Sequence, residues 1–159
     1  MKKSIASTLF ILAACAAQAQ SKSYQDLRNH FSGQPDVKSF GFSGPVCRMI
    51  VNVIGWEDEE LSEALKGVKQ VRFMTIPKEE FDNQGLSVRG FRSRLVKDNF
   101  EVMAAFRDGG SDVTLYHRPE KNTDRYFMLL EEDDEVVAIE MKGYIDPAVF
   151  REKYSEASL

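Results

Sequence analysis

The apolar positions along the chain switch between two periods, and each switch marks an element. Tyr24, Leu27 and Phe31 recur at helical spacing, which predicts a first helix over 23–31. Gly33-Gln34-Pro35-Asp36 breaks it. Val37, Phe40 and Phe42 predict a short strand over 37–42. Ser43 then caps a helix with Pro45 in its first turn, running to about Ile54. That helix is apolar nearly all round, apart from Arg48 and Asn52, so its expected place is the core. A second helix follows over 57–66. Its carboxylates Glu57, Asp58, Glu59 and Glu60 suit a helix N-terminus, and Leu61, Ala64 and Leu65 point inward.

The period then shortens. Residues 68–76 alternate as a strand that Pro77 ends, and 78–85 read as a polar loop. Residues 86–97 return to helical spacing, with Val88, Phe91, Leu95 and Val96 inward. Four strands follow in succession over 100–107, 112–118, 125–131 and 135–143. Asp108-Gly109-Gly110, 119–124 and Asp133-Asp134 supply the turns. A C-terminal helix starts after Asp146-Pro147 and carries Val149, Phe150 and Tyr154. The expected fold class is α+β. It has a mainly antiparallel sheet of five to six strands with helices packed on one face, ending in a four-strand meander and a C-terminal helix. A parallel pairing of the first two strands needs a helical crossover, and the intervening helices supply one.

One segment fits neither period. Met1-Lys2-Lys3 leads into an apolar run from Ile5 to Ala17, closed by Ala17-Gln18-Ala19. A cationic start, a short apolar middle and a small-x-small exit make a secretory signal. The run is too short for a stable membrane span. The expected organisation is a cleaved signal over 1–19 and one α+β domain over 20–159. The exit has a second reading. Leu12-Ala13-Ala14-Cys15 also fits the lipobox pattern, which makes Cys15 a lipid-bearing N-terminus. The expected location is exported, periplasmic or outer-membrane-associated, with lipid anchoring through Cys15 as the alternative.

Charge narrows the partners. Without residues 1–19 the chain holds 19 basic against 25 acidic residues, a net charge of −6. That balance argues against general nucleic-acid binding and against a grip on anionic lipid. Membrane association is then expected only if Cys15 is lipidated. With 43% hydrophobic residues, 11 of the 159 being Phe, there is apolar mass for a real core. After cleavage at Ala19 one cysteine remains, Cys47, and its apolar neighbours Val46, Met49 and Ile50 favour burial.

No motif commits the chain to a chemistry. His30 and His117 are the only histidines, and no spacing suits a transition metal, so neither metal nor cofactor is expected. Glu131-Glu132-Asp133-Asp134-Glu135 lacks the ligand alternation and central glycine of a calcium loop, and reads as a solvated hairpin tip. Asp108-Gly109-Gly110-Ser111 joins two strands, whereas phosphate loops lead into a helix. The most suggestive surface is basic. Arg89, Arg92, Arg94 and Lys97 stand on one helix, with Arg72 and Arg107 in strands. They suit an anionic ligand or an acidic partner, but the solvated face of an amphipathic helix, paired with surplus carboxylates, is the favoured reading.

The stretch from Val136 to Asp146, closing on Gly143-Tyr144-Ile145-Asp146, resembles the last strand and Gly-x-Ile-Asp turn of an exported bacterial family. That family is domain-of-unknown-function family four-two-five-two. The signal, the aromatic first helix and the strand-helix block with Met49 agree with it, as does the order of elements from Val68 to Tyr154. The resemblance implies an envelope location and supplies no catalytic residues. Members of this kind are often lipoproteins. The Gly143 turn itself reads as architectural: glycine takes positive φ, Asp146 caps the next helix and Pro147 fits its first turn.

Two functions remain from different classes. One is a non-catalytic envelope domain that binds a protein partner or small ligand. The other is an envelope hydrolase or transferase using dispersed carboxylates. A pocket with convergent acids or histidines favours the enzyme, and a partly apolar exposed patch favours the binder.

Overall fold

The computed structural model describes residues 20–54, 59–108, 110–146 and 148. The leader with Cys15 and the helix expected after Pro147 lie outside them. The order of elements is α1 (Lys22–Phe31), β1 (Lys38–Ser43), α2 (Pro45–Ile54), α3 (Glu59–Leu65), β2 (Val68–Pro77), α4 (Lys78–Asn83) and α5 (Val88–Lys97). The meander follows as β3 (Glu101–Asp108), β4 (Ser111–Arg118), β5 (Asp124–Glu131) and β6 (Glu135–Gly143). The fold is α+β. Six strands form one open sheet in the order β1-β2-β6-β5-β4-β3. All five pairings are antiparallel.

The first two strands pair antiparallel, Lys38 opposite Thr75 and Ser43 opposite Gln70, so the parallel crossover does not occur. The reason lies in the number of helices between them. One helix carries a chain across a sheet to start a parallel strand. Here α2 and α3 form a two-helix excursion that brings the chain back to the end it left, where Gly44 N–H donates to the Lys69 carbonyl at 3.1 Å.

Alternation sends successive side chains to opposite faces of the sheet. On one face α1 contributes Tyr24, Leu27 and Phe31, α4 Phe81, and α5 Phe91 and Leu95. They cover Met74, Ile76, Tyr116, Phe127, Leu129, Val136 and Ala138. Phe127 sits at the centre, its ring 5.5 Å from Phe91, 6.0 Å from Phe100 and 6.5 Å from Tyr24. The other face holds a smaller cluster of Val68, Leu115, Tyr126, Met141 and Ile145, with Leu65 of α3 packed against it. Helices on one face therefore describe α1, α4 and α5, while α3 joins the opposite side.

Three local expectations change. Residues 78–85 are not all loop: α4 begins directly after Pro77 and buries Phe81. A single apolar residue in a polar stretch gives no periodicity to read, so one short turn of helix escaped the pattern. Val96 is exposed, because α5 turns only Phe91 and Leu95, four residues apart, fully inward. The all-round apolar α2 is not a core helix: Cys47 is buried, but Val46 and Met49 are 42% and 61% exposed.

The Gly143 turn is as tight as its sequence requires. Gly143 has φ +149°, and a Cβ there would lie 2.3 Å from the Gly67 carbonyl oxygen. Tyr144 N–H donates to that same oxygen at 3.1 Å. Close backbone approach, beyond backbone freedom alone, excludes a side chain at this position. Asp146 Oδ1 accepts from Ala148 N–H at 2.9 Å, as a cap would.

Candidate functional site

Two charged clusters stand out, and they share one ingredient, arginine against carboxylate. The first is centred beneath α1 on the buried Arg125 and Glu140, with Arg72, Arg118, Asp98 and Glu120 part-exposed around them. β5 and β6 both point a charge at the helix-covered face: Arg125 shares its face with Phe127, and Glu140 shares its face with Ala138. Each is 1% exposed. Glu140 Oε2 accepts from Arg72 Nη1 at 2.7 Å and its Oε1 from Ser21 N–H at 2.8 Å, with Arg125 Nη1 at 3.2 Å. Arg125 Nε and Arg118 Nη2 each donate to Glu120 Oε1 at 2.7 Å. Arg118 Nη1 reaches Asp98 Oδ1 at 2.8 Å, and Asp98 Oδ2 accepts from Ser23 N–H and Oγ, both at 2.9 Å. Burial pushes the Glu120 carboxyl up, but the Arg125 and Arg118 hydrogen bonds outweigh it and hold it at about 2. Three cations meet three carboxylates. The chain of charges ties the start of α1 and the end of α5 to the sheet.

The second cluster is an open cleft of about 390 Å³ between α4, α5 and the end of β5. Lys78 starts α4, and Phe81 below it anchors the wall in the core. Ser87 caps α5 by accepting from Gly90 N–H at 3.0 Å. With Phe91 and Leu95 turned inward, Arg89 and Arg92 share the side of α5 that faces α4. Glu131 closes the cleft, 3.4 Å from Lys78 Nζ and 3.2 Å from Arg92 Nη2. The buried Nε of Arg92 has no hydrogen-bond partner among the described residues. A guanidinium donor out of water and without an acceptor is costly.

Of the four basic residues that sequence singled out on this helix, the structure brings together Arg89 and Arg92 and adds Lys78. Arg94 and Lys97 are elsewhere. Residues three apart share a helix face, whereas two apart are turned by about 200°. Arg94 lines a separate hollow between α1 and α5, with Asp26, His30 and Phe91. Lys97 is exposed in the last turn of α5. Arg72 belongs to the buried cluster. Arg107 pairs with Asp112 on the outer edge of β3, Nη2 to Oδ2 at 2.7 Å. Glu131 corrects the reading of the acidic run. Asp133 and Asp134 are exposed at the hairpin tip, but Glu131 turns into the cleft.

The remaining candidates take quieter places. Cys47 is buried, and burial pushes its thiol up, away from reactivity. His30 is exposed on α1, its Nδ1 2.7 Å from the Asp26 carbonyl. His117 stacks on Tyr126 with ring centroids 5.0 Å apart, and its Nε2 lies 3.4 Å from Asp124 Oδ2. Among the described residues, no three His, Cys, Asp or Glu side chains converge as a metal site. No helix among them is long and apolar enough to cross a membrane.

Sequence reasoning missed Arg125, Glu140, Arg118 and Glu120. A signal existed: Arg125-Phe127-Leu129 and Val136-Ala138-Glu140 place opposite charges in the inward register of one hairpin. The cleft's Lys78 carried no such signal, because α4 itself was not legible.

No curated protein and no solved structure matches the chain. The family model for DUF4252, a domain of unknown function, matches residues 31–152. That span runs from the end of α1 through the whole sheet, so both charged clusters fall almost entirely within it, and the chain belongs to the DUF4252 family.

Proposed function

We propose that this protein is an exported cell-envelope domain that binds without catalysis, and that the α4–α5–β5 cleft takes the anionic group of its ligand or partner. The observation that carries the reading is the buried, acceptor-less Nε of Arg92, flanked by Arg89 and Lys78. A carboxylate or phosphate entering there gains charge-assisted hydrogen bonds and relieves the unpaired donor. Glu131 acts as the internal counter-charge.

Calorimetric titration with inorganic phosphate and with citrate tests the cleft. Binding is expected at millimolar concentration, lost in Arg92→Met and retained in Arg94→Met, whose residue lies in the other hollow. Equal loss in both variants, or no binding by the parent, sinks the assignment. Robust turnover in a broad hydrolase screen defeats the non-catalytic reading. Intact mass of the native protein tests export: the mature chain is expected to start at Gln20, or at a lipid-bearing Cys15 in the alternative.

A further inference from the structure

The net charge of the chain hides a strong asymmetry. Residues 20–54 carry Lys22, Arg28, Lys38 and Arg48 against only Asp26 and Asp36. The remaining acidic residues all lie beyond them. The basic part carries three of the exposed large apolar side chains, Phe40, Val46 and Met49. Phe40 is 47% exposed on β1, at the edge of the sheet. Its ring stacks on Phe73 at 4.7 Å and lies 5.4 Å from Phe42, so it is held outward by its neighbours. Gly44 leads from β1 straight into α2, where Val46 and Met49 stand three residues apart on one exposed face. Lys38 shares the sheet face of Phe40, and Arg48 is the exposed polar neighbour of Met49.

The chain's entry adds direction. Gln20, Arg28 and Phe40 line one cleft of about 380 Å³. Gln20 therefore lies beside this corner. If Cys15 bears lipid, the five residues from it to Gln20 span at most about 17 Å. The same corner is then held against the bilayer.

We propose that the β1–α2 corner is a membrane-contact surface for anionic lipid. Phe40, Val46 and Met49 enter the interfacial region while Lys38 and Arg48 meet headgroup phosphates. Global acidity does not prevent this, because screening confines each charge's influence to about 8–10 Å. The surface is separate from the α4–α5–β5 cleft, and its test is independent of it.

The test is co-sedimentation of the mature chain starting at Gln20, without lipid, on vesicles of phosphatidylethanolamine with increasing phosphatidylglycerol. Binding is expected to rise with phosphatidylglycerol and to fall at about 0.5 M salt. Met49→Glu, at the more exposed position, is expected to weaken it at least about fivefold without lowering the thermal midpoint, and Phe40→Glu to weaken it as much while also losing the stack on Phe73. Arg48→Glu is expected to weaken it and flatten its salt dependence, while Arg92→Met leaves it unchanged. No binding at any phosphatidylglycerol content overturns the proposal. So does binding that Met49→Glu and Phe40→Glu leave intact. A parent dimer that Met49→Glu converts to monomer, with no vesicle binding, overturns it in favour of self-association.

Discussion

Beneath α1, each carboxylate of the buried charge chain is met by two or more donors, and Glu140 collects Arg72, Arg125 and the Ser21 amide. In the α4–α5–β5 cleft, one carboxylate serves two cations and an arginine donor is left over. The residue types are the same. What differs is saturation. A buried network with all its donors met fixes geometry and has nothing to offer a ligand. A half-exposed cluster with an unmet donor is weakly held, as the proposed anion site requires. Arginine content alone, read from sequence, does not separate the two, since separation depends on how many acceptors the fold delivers to each.

The contrast is most exposed to test at Glu140. Glu140→Ala leaves Arg125 buried with a lost partner and cuts the tie to Ser21, the N-cap of α1. Breaking one side of a buried pair costs about 3–5 kcal/mol. Urea unfolding is the measurement, and α1 is expected to lose amide protection first. A loss below about 1 kcal/mol is the range of surface pairs and would erase the distinction from the cleft.

A second test uses pH. Glu120 is held at about 2 in the folded protein, against 4.5 ordinarily. Its carboxyl is depressed on folding, so its contribution is complete above the unfolded value. The contribution is lost as pH falls through about 2. The stability of the parent is expected to decline across that window, and Glu120→Gln to be less stable at neutral pH with a flatter acid limb. Parallel curves for parent and variant would show that Glu120 is not the titrating tie.

Much of this fold is legible in the sequence, for a physical reason. The meander strands are apolar runs of eight or nine residues separated by polar turn residues, and each strand pairs with its neighbour in the chain. What resists reading is whatever depends on distant partners. α2 looks like core by hydropathy, yet Val46 and Met49 face outward, because sequence counts apolar residues and not what covers them. Glu131 looks like the start of a solvated tip until Lys78 and Arg92 are placed beside it from elements far away in the chain. Spacing of i and i+3 joins Arg89 to Arg92 at one cleft, whereas Arg94 lines a separate hollow beside α1 and Lys97 is exposed in the last turn of α5.

A smaller effect is expected at the family-like turn. Asp146 is exposed and holds one amide, that of Ala148. Asp146→Ala is expected to cost about 1 kcal/mol by thermal unfolding and to leave phosphate binding in the cleft unchanged. Normal melting with lost binding would move this turn from architecture to function. It would also place a site where saturation gives no reason for one.

The smallest change in stability belongs to Glu131, and it separates the two clusters most sharply. Its side chain is 27% exposed, and its partners Lys78 and Arg92 are 34% and 35% exposed. Pairs this open to water contribute between about 0 and 1 kcal/mol, so Glu131→Gln is expected to melt within that margin of the parent. Its effect on binding runs the other way. Removing that counter-charge leaves Lys78, Arg89 and Arg92 faced by Asp82 as the remaining carboxylate of the described cleft lining, and a charge about 4 Å away in water is worth about 1 kcal/mol, or roughly fivefold in affinity. Phosphate affinity is therefore expected to rise about fivefold in Glu131→Gln, while Arg92→Met abolishes it. The corresponding change in the buried cluster, Glu140→Gln, is expected to lower stability and to leave phosphate binding alone. If Glu131→Gln instead weakened phosphate binding, Glu131 would be holding Arg92 in its binding geometry. The cleft would then depend on saturation as the buried network does, and the distinction between the two clusters would fail.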